Sequence, residues 1–251
     1  MNDLLIIDGI SKKYGNKTVV ARESFNLKQG DILGFIGPNG AGKTTSINMI
    51  STLLSPDSGK ILFHGQDISR GQIAFKKALG VVPQDLAIYE DLSAYDNVKF
   101  FCSLYYLRGI ELKERVKEAL TFVGLWDKRK ELPSKFSGGM KRRLNIACAI
   151  AHGPELLIMD EPTAGIDPQS RNHILQTVKT LNGRGTTVIY TSHYMEEIDV
   201  LCNRILLMDE GRVLEDLDKQ SYKEKYAREG CKTLEDIFLY VTGTNLRDTE
   251  E

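Results

Sequence analysis

The stretch Gly37-Pro38-Asn39-Gly40-Ala41-Gly42-Lys43-Thr44 carries the most specific chemistry in this sequence. It fits G-x-x-x-x-G-K-[ST] completely. Glycines let backbone N–H groups converge on phosphate oxygens with no Cβ in the way. A helix opening at Gly42 aims its positive end at the same anion. Lys43 is then expected to reach the β- and γ-phosphates, and the Thr44 hydroxyl to ligate Mg²⁺. The context agrees, because the apolar strand pattern Asp31–Ile36 precedes the loop and a helical pattern, Lys43–Leu53, follows it. The spacing within Gly37–Gly42 lacks G-x-G-x-x-G, which disfavours a dinucleotide fold. The expected ligand is Mg·ATP.

A second constellation lies in Glu155-Leu156-Leu157-Ile158-Met159-Asp160-Glu161-Pro162, an apolar strand ending in two carboxylates. Asp160 at the strand end suits an Mg²⁺ role, direct or through water. Two adjacent acids repel unless a cation or proton compensates, and a bound Mg²⁺ does so. Glu161 is then placed to orient or deprotonate the attacking water. By itself an Asp-Glu pair before Pro reads as a solvated strand end; the complete phosphate loop gives it meaning.

Between these motifs sits Phe136-Ser137-Gly138-Gly139-Met140-Lys141-Arg142-Arg143. Ser-Gly-Gly opening a helix is a second anion-binding helix end. One nucleotide does not need two such ends from one chain. A head-to-tail dimer, each chain offering Ser-Gly-Gly to its partner's ATP, is the economical arrangement.

With these motifs in order, the sequence resembles the ATP-binding cassette family from about Leu4 to Leu214. The resemblance implies nucleotide contacts from Tyr14, which matches the aromatic stacked on adenine, and from Gly37, Pro38, Asn39, Gly40, Ala41, Gly42, Lys43, Thr44 and Thr45. Gln84 matches the family's glutamine that touches Mg²⁺ and water and senses the transporter. Ser137, Gly138 and Gly139 match the signature motif that caps the partner's ATP. Ala164-Gly165-Ile166-Asp167 matches the loop linking the two sites of the dimer, and His193 the switch histidine at the γ-phosphate. Alone, Tyr14 is a turn aromatic, Gln84 a loop polar residue and His193 a cap; their order links them. The implied catalytic set is Glu161, His193 and Gln84, and the metal set Thr44, Gln84 and Asp160. Phe136 and Met140 depart from the commonest signature, which has Leu and Gln there. Together with Ala-Gly-Ile-Asp-Pro and Ser-His-Tyr-Met-Glu-Glu they resemble the branch that drives exporters of drugs, sodium or lipids.

The resemblance also implies ATP and Mg²⁺ as cofactors and a second cassette subunit, which a complete motif set permits to be identical. It implies a separate multi-span membrane subunit and a cytoplasmic location on the inner membrane face. An importer ATPase and a soluble non-transport cassette ATPase stay open as alternatives. The DNA-repair type of the latter carries a long coiled coil, and no heptad run exists here.

The elements that must position these residues read as an α/β fold. A phosphate-loop NTPase core with a mostly parallel sheet is expected, with an N-terminal antiparallel β subdomain and an inserted helical subdomain. Leu4–Ile10 and Thr18–Leu27 read as strands around Tyr14-Gly15-Asn16. Ser55–Gly59 reads as a turn, and Lys60–His64 and Leu79–Val82 as short strands. From about 93 to 151 apolar residues recur at helical spacing, as in Val98, Phe101, Leu104 and Tyr105. Strand and helix patterns then alternate: Leu156–Met159, Gln169–Leu181, Thr186–Tyr190, Met195–Leu201 and Arg204–Met208. The cassette domain is expected over 1–217, followed by a short charged, weakly helical tail over 218–251 with an unstructured polar end.

Across 251 residues, 41% are hydrophobic and 27% charged, with 33 basic against 34 acidic. This balance gives no global pull towards nucleic acid or anionic lipid. Lys141-Arg142-Arg143 is expected to form a solvated or partner-facing helix turn, too short for a nucleic-acid surface. Cys102, Cys148, Cys202 and Cys231 are scattered and read as reduced, mostly buried thiols. His64, His152 and His173 match no motif. The start of the chain lacks a signal-peptide pattern, and no apolar run reaches about 20 residues. The segment around Ala87–Tyr106, with Asp85-Leu86-Ala87-Ile88-Tyr89 as its exposed loop, is the expected docking surface for a membrane subunit.

Overall fold

A computed structural model describes residues 3–243. In chain order the elements are β1 (Asp3–Tyr14), β2 (Lys17–Lys28), β3 (Ile32–Ile36), α1 (Lys43–Ile50), β4 (Ser58–Phe63), β5 (Gln66–Asp67), α2 (Gln72–Ala78), β6 (Leu79–Val82), α3 (Ala94–Ser103), α4 (Gly109–Phe122), α5 (Gly138–Ile150), β7 (Leu156–Met159), α6 (Pro168–Gly183), β8 (Thr187–Tyr190), α7 (Met195–Leu201), β9 (Arg204–Asp209), β10 (Arg212–Asp218), α8 (Lys219–Ala227) and α9 (Leu234–Thr242). These pack as two compact units, one holding the described residues up to Gln72 and from Ile189, the other Ile73–Val188.

In the first unit, β1 and β2 form a long hairpin within an antiparallel sheet of order β2-β1-β4-β5. Apolar residues of β1 (Leu5, Ile7 and Ile10) and of β2 (Val20 and Leu27) form its core. Ser58 and Gly59, expected in a turn, already belong to β4. The reason is close approach: Gly59 has φ +83°, and a Cβ there would lie 2.4 Å from the carbonyl carbon of Gly9 on β1. Lys12 Nζ and the Lys13 amide both donate to Asp57 at 2.7 and 2.8 Å, fixing the chain's entry into that strand. Elsewhere in this unit β3 pairs in parallel with β9, and β9 antiparallel with β10. All five residues of β3 are buried, the run expected of a strand covered on both faces. The unit also holds α8 and α9, the latter opened by a capping box between Thr233 and Asp236. The expected polar end of the tail lies outside the described residues.

The second unit pairs β6 in parallel with β7, whose four residues are all buried. Thr187 at the start of β8 donates to Glu155 O at 2.9 Å. Between β6 and β7 run α3, α4 and α5, which pack on one another, and Val98, Val116, Leu120, Leu144 and Ile146 on them are fully buried. Cys102, Cys148 and Cys202 are buried free thiols and Cys231 is half-buried. Among the described residues, no helix is long and apolar enough to cross a membrane.

Candidate functional site

In the first unit, the buried strand β3 delivers the chain into Gly37. A Cβ at Gly37 would lie 2.2 Å from Met208 O on β9. Gly42 is the N-cap of α1 with φ 105°, and a Cβ there would lie 2.7 Å from Val19 O on β2. The loop is therefore glycine at these two places because neighbouring backbone fills the space. It is tied by Ala41 N to Pro38 O at 3.2 Å and by Gly211 N to Ala41 O at 2.9 Å. Lys43 Nζ donates to Gly37 O at 2.7 Å and to Pro38 O at 3.0 Å, so its ammonium is folded back over the loop. Gly42 makes no side-chain cap, so no side chain of the N-cap residue occupies the first amides of α1, the kind of helix end that can receive an anion. Asn39, Gly40 and Thr44 are exposed, while Pro38 and Thr45 are half-buried and Ala41 buried.

Tyr14 ends β1 at the hairpin turn and is 53% exposed. His193 is exposed on the segment between β8 and α7. Its neighbour Ser192 is buried and shapes this turn, accepting from Tyr194 N at 3.0 Å and donating to Glu197 at 2.8 Å.

The second unit brings Gln84 and Glu161 together: Gln84 Nε2 donates to Glu161 Oε2 at 3.4 Å. The link between their segments is the parallel β6–β7 pairing, continued by Asp160 N to Val82 O at 2.9 Å. Asp160 and Glu161 are half-buried at the end of β7. Glu161 has φ 46°, a left-handed conformation rare outside glycine. Such strain persists where surrounding structure imposes it, typically where a side chain must be aimed.

The signature segment opens α5. Ser137 is the N-cap, its Oγ accepting from Met140 N at 3.2 Å. A Cβ at Gly138 would meet nothing within 4 Å, whereas one at Gly139 would lie 2.1 Å from Ser170 Oγ on α6. Asp167, last of the Ala164–Asp167 loop, caps α6 by accepting from the amides of Gln169 and Ser170. Those bonds hold its carboxyl below the usual range. The loop joining the two expected sites of a dimer is thus packed against the signature helix of its own chain.

The arginines after the signature do not form a solvated turn. Arg142 is 7% exposed, and its Nη1 donates to Pro83 O at 3.1 Å and Gln84 O at 2.8 Å. Arg143 Nη1 donates to Val123 O at 2.9 Å. Lys141 alone pairs outward, with Glu90 at 2.5 Å. Burial lowers the pKa of Arg142, and Asp85 and Glu161 oppose that shift. One turn along, Asn145 Oδ1 accepts from Ala87 N at 3.2 Å. Asn97, fully buried on α3, accepts from Tyr89 N and donates to Tyr89 O, Leu92 O and Ser93 O. The sequence reading missed Arg142, Asn145 and Asn97 because their partners are backbone atoms, which leave no pattern in sequence. The one available signal was a polar residue on an otherwise apolar helical face.

His152 carries no site. It stacks on Tyr105 with ring centroids 3.6 Å apart, and burial pushes its pKa down to about 4.

A buried strand running into a glycine-crowded loop and an uncapped helix end defines a phosphate-loop nucleotide-binding domain. Residues 20–164 match the family described as ABC transporter. The linearmycin resistance ATP-binding protein LnrL of Bacillus subtilis (strain 168) is 53% identical over 84% of this chain and 68% of that protein. The Nod factor export ATP-binding protein I of Paraburkholderia xenovorans (strain LB400) is 40% identical over 82% of this chain and 67% of its own length. The chain spans about two thirds of the length of these relatives. A solved ATP-binding subunit of an ABC transporter superposes with a TM-score of 0.86 and 26% identity, covering 95% of this chain and 99% of that one. The dimeric ATP-binding cassette MJ0796, in a post-hydrolysis state with ADP and Pi, does so at 0.76 and 25%, covering 85% and 98%. This chain belongs to the ABC transporter family, as its ATP-binding, ATP-hydrolysing component.

Proposed function

We propose that this chain is the Mg·ATP-driven motor of an exporter, acting as a pair of copies on a separate multi-span membrane subunit at the inner face of the cell membrane. The observation that carries this reading is the glycine-crowded phosphate loop with Lys43 folded over it. The names of the relatives, which refer to resistance and to Nod factor export, favour export.

In this reading Lys43 and the amides of residues 37–44 hold the phosphates of ATP, and Tyr14 stacks on its base. Among the described residues no cluster of three or more His, Cys, Asp or Glu could hold a metal by itself. Mg²⁺ asks for less, one or two protein oxygens with waters and phosphates completing six. By their resemblance to the family's motifs we assign to that set Thr44, whose side chain is exposed, Asp160, which is half-buried, and Gln84. When bound, Mg²⁺ neutralises charge on the phosphates. Glu161 takes the proton of the attacking water, and Gln84 keeps its carboxylate aimed. His193 orients the γ-phosphate. Ser137, Gly138 and Gly139 of a second copy close over the same nucleotide. Loss of these shared contacts on hydrolysis lets the pair open.

The surface offered to the membrane subunit is the knuckle after Gln84. Leu86 and Tyr89 are exposed there, and Tyr89 packs edge-on against the exposed Phe100 at 5.2 Å. Asn97 fixes the knuckle from behind. Purifying the chain alone, and from membranes with its genetic neighbour, tests the proposal through ATP turnover. Slow turnover alone, raised by a recovered multi-span protein, is expected. Glu161→Gln should lower it at least about 100-fold while ATP binding stays. Robust turnover with no membrane protein recovered would instead favour a soluble cassette ATPase. A neighbouring solute-binding protein would favour an importer.

A further inference from the structure

A carboxyl group lies buried behind the phosphate loop, and nothing in the mechanism above uses it. Glu23 on β2 is 1% exposed and faces Ile10 of β1 across the hairpin. The preceding residue, Arg22, has φ 54°. Ser46 Oγ, fully buried on α1, donates to Glu23 Oε2 at 2.5 Å, and Met208 Sδ of β9 lies 3.9 Å from the same hydroxyl. Ser46 also makes the first backbone bond of α1, its amide donating to Gly42 O at 2.9 Å. Glu23 Oε1 is buried and has no hydrogen-bond partner. A strand that must approach Gly42 through Val19 and Val20 has no packing reason to bury an acid three residues on.

We infer that Glu23 is a positioning residue for nucleotide binding, which holds the first turn of α1 through Ser46 and sets how strongly the loop behind Gly42 attracts phosphate. Desolvation by burial raises its carboxyl to about 7, against which the Ser46 hydrogen bond works. Burial and the Ser46 bond are the causes of that shift, and charged groups on the neighbouring elements have partners of their own. Lys43 of α1 bonds Gly37 O and Pro38 O, Asp209 of β9 accepts from Glu210 N, and Lys12 and Lys13 of β1 bond Asp57. Protonated, Glu23 adds no charge behind the loop. Ionised, it places one negative charge beneath a helix end whose positive dipole serves the phosphates. A unit charge roughly 10 Å away at an effective dielectric of about 20 changes anion affinity on the order of tenfold. By linkage, a bound phosphate chain raises the proton affinity of Glu23 by the same factor.

The sign for stability is the reverse of a salt-bridged acid. The folded pKa lies above the unfolded value near 4.5, so the folded chain holds the extra proton. Stability therefore falls as pH rises from about 4.5 to about 7.

The test is equilibrium binding of a fluorescent ATP analogue to wild type, Glu23→Gln, Ser46→Ala and Lys43→Ala between pH 6 and 8.5, with melting of the nucleotide-free proteins beside it. Glu23→Gln keeps the shape and stays neutral. It should bind at pH 8 about fivefold more tightly than wild type, match wild type at pH 6, and leave kcat within about twofold. Ser46→Ala should move the midpoint of the wild-type pH dependence upward, since the bond that favours the ionised form is gone. Identical pH profiles for wild type and Glu23→Gln, or a change confined to kcat, would overturn the inference. Lys43→Ala separates this from the ATP reading on which it rests: unchanged binding in that variant would sink the reading itself.

Discussion

Two helices of this protein open on anion-seeking sequences and are built in opposite ways. Helix α1 starts from a glycine with φ 105° and no capping side chain; α5 starts from a serine in extended conformation whose hydroxyl caps the Met140 amide. At the first end the glycines are demanded from within, since a Cβ at 37 or 42 would strike the backbone of β9 or β2. At the second, Gly138 faces open space and only Gly139 is pressed, by Ser170. The difference separates two reasons for a glycine. One is imposed by the chain's own packing. The other has no cause inside the described chain and fits a surface kept bare for something that lands on it.

Substitutions at these glycines sharpen or break that contrast. Gly37→Ala should show the largest effect, losing nucleotide binding and about 3 kcal/mol of stability as the loop is forced off Met208. A thermal melt matching wild type would contradict the packing argument. Gly138→Ala should melt within about 1 kcal/mol of wild type, because alanine is the better helix former. Its ATP turnover in the assembled transporter should nonetheless fall about 100-fold, the loss expected when donors around a phosphoryl group are displaced. Normal turnover would show that the bare surface serves nothing. Ser137→Ala should have the smallest effect of the three overall, a loss of about 1 kcal/mol of stability with the cap. A turnover loss much larger than that free energy implies would show the hydroxyl serving a nucleotide besides its own helix.

What the sequence displayed follows the same division between pattern and partner. Leu156–Met159 and Leu79–Val82 were legible to the residue, because a strand buried on both faces needs an unbroken apolar run. The phosphate loop was legible because its eight residues carry a complete motif, although the strands that make Gly37 and Gly42 obligatory, β9 and β2, were not part of that signal. β10 was not, since Arg212–Asp218 is a half-exposed edge rich in acids, and its place depends on β9. Nor was α2, a seven-residue helix with one buried side chain, Phe75. Arg142 was misread for a related reason. A basic triplet looks solvated until the carbonyls of Pro83 and Gln84 are seen to converge on its middle member.

That convergence has a mechanical consequence. Arg142 and Asn145 sit three residues apart on one face of α5, about 4.5 Å along its axis, and grip the backbone at Pro83, Gln84 and Ala87. A single grip would act as a ball joint, passing on a pull and letting rotation slip. Two grips spaced along a stiff rod resist rotation as well, so the backbone from Pro83 to Ala87 and the helix that begins after Ser137 are held in one fixed orientation to each other.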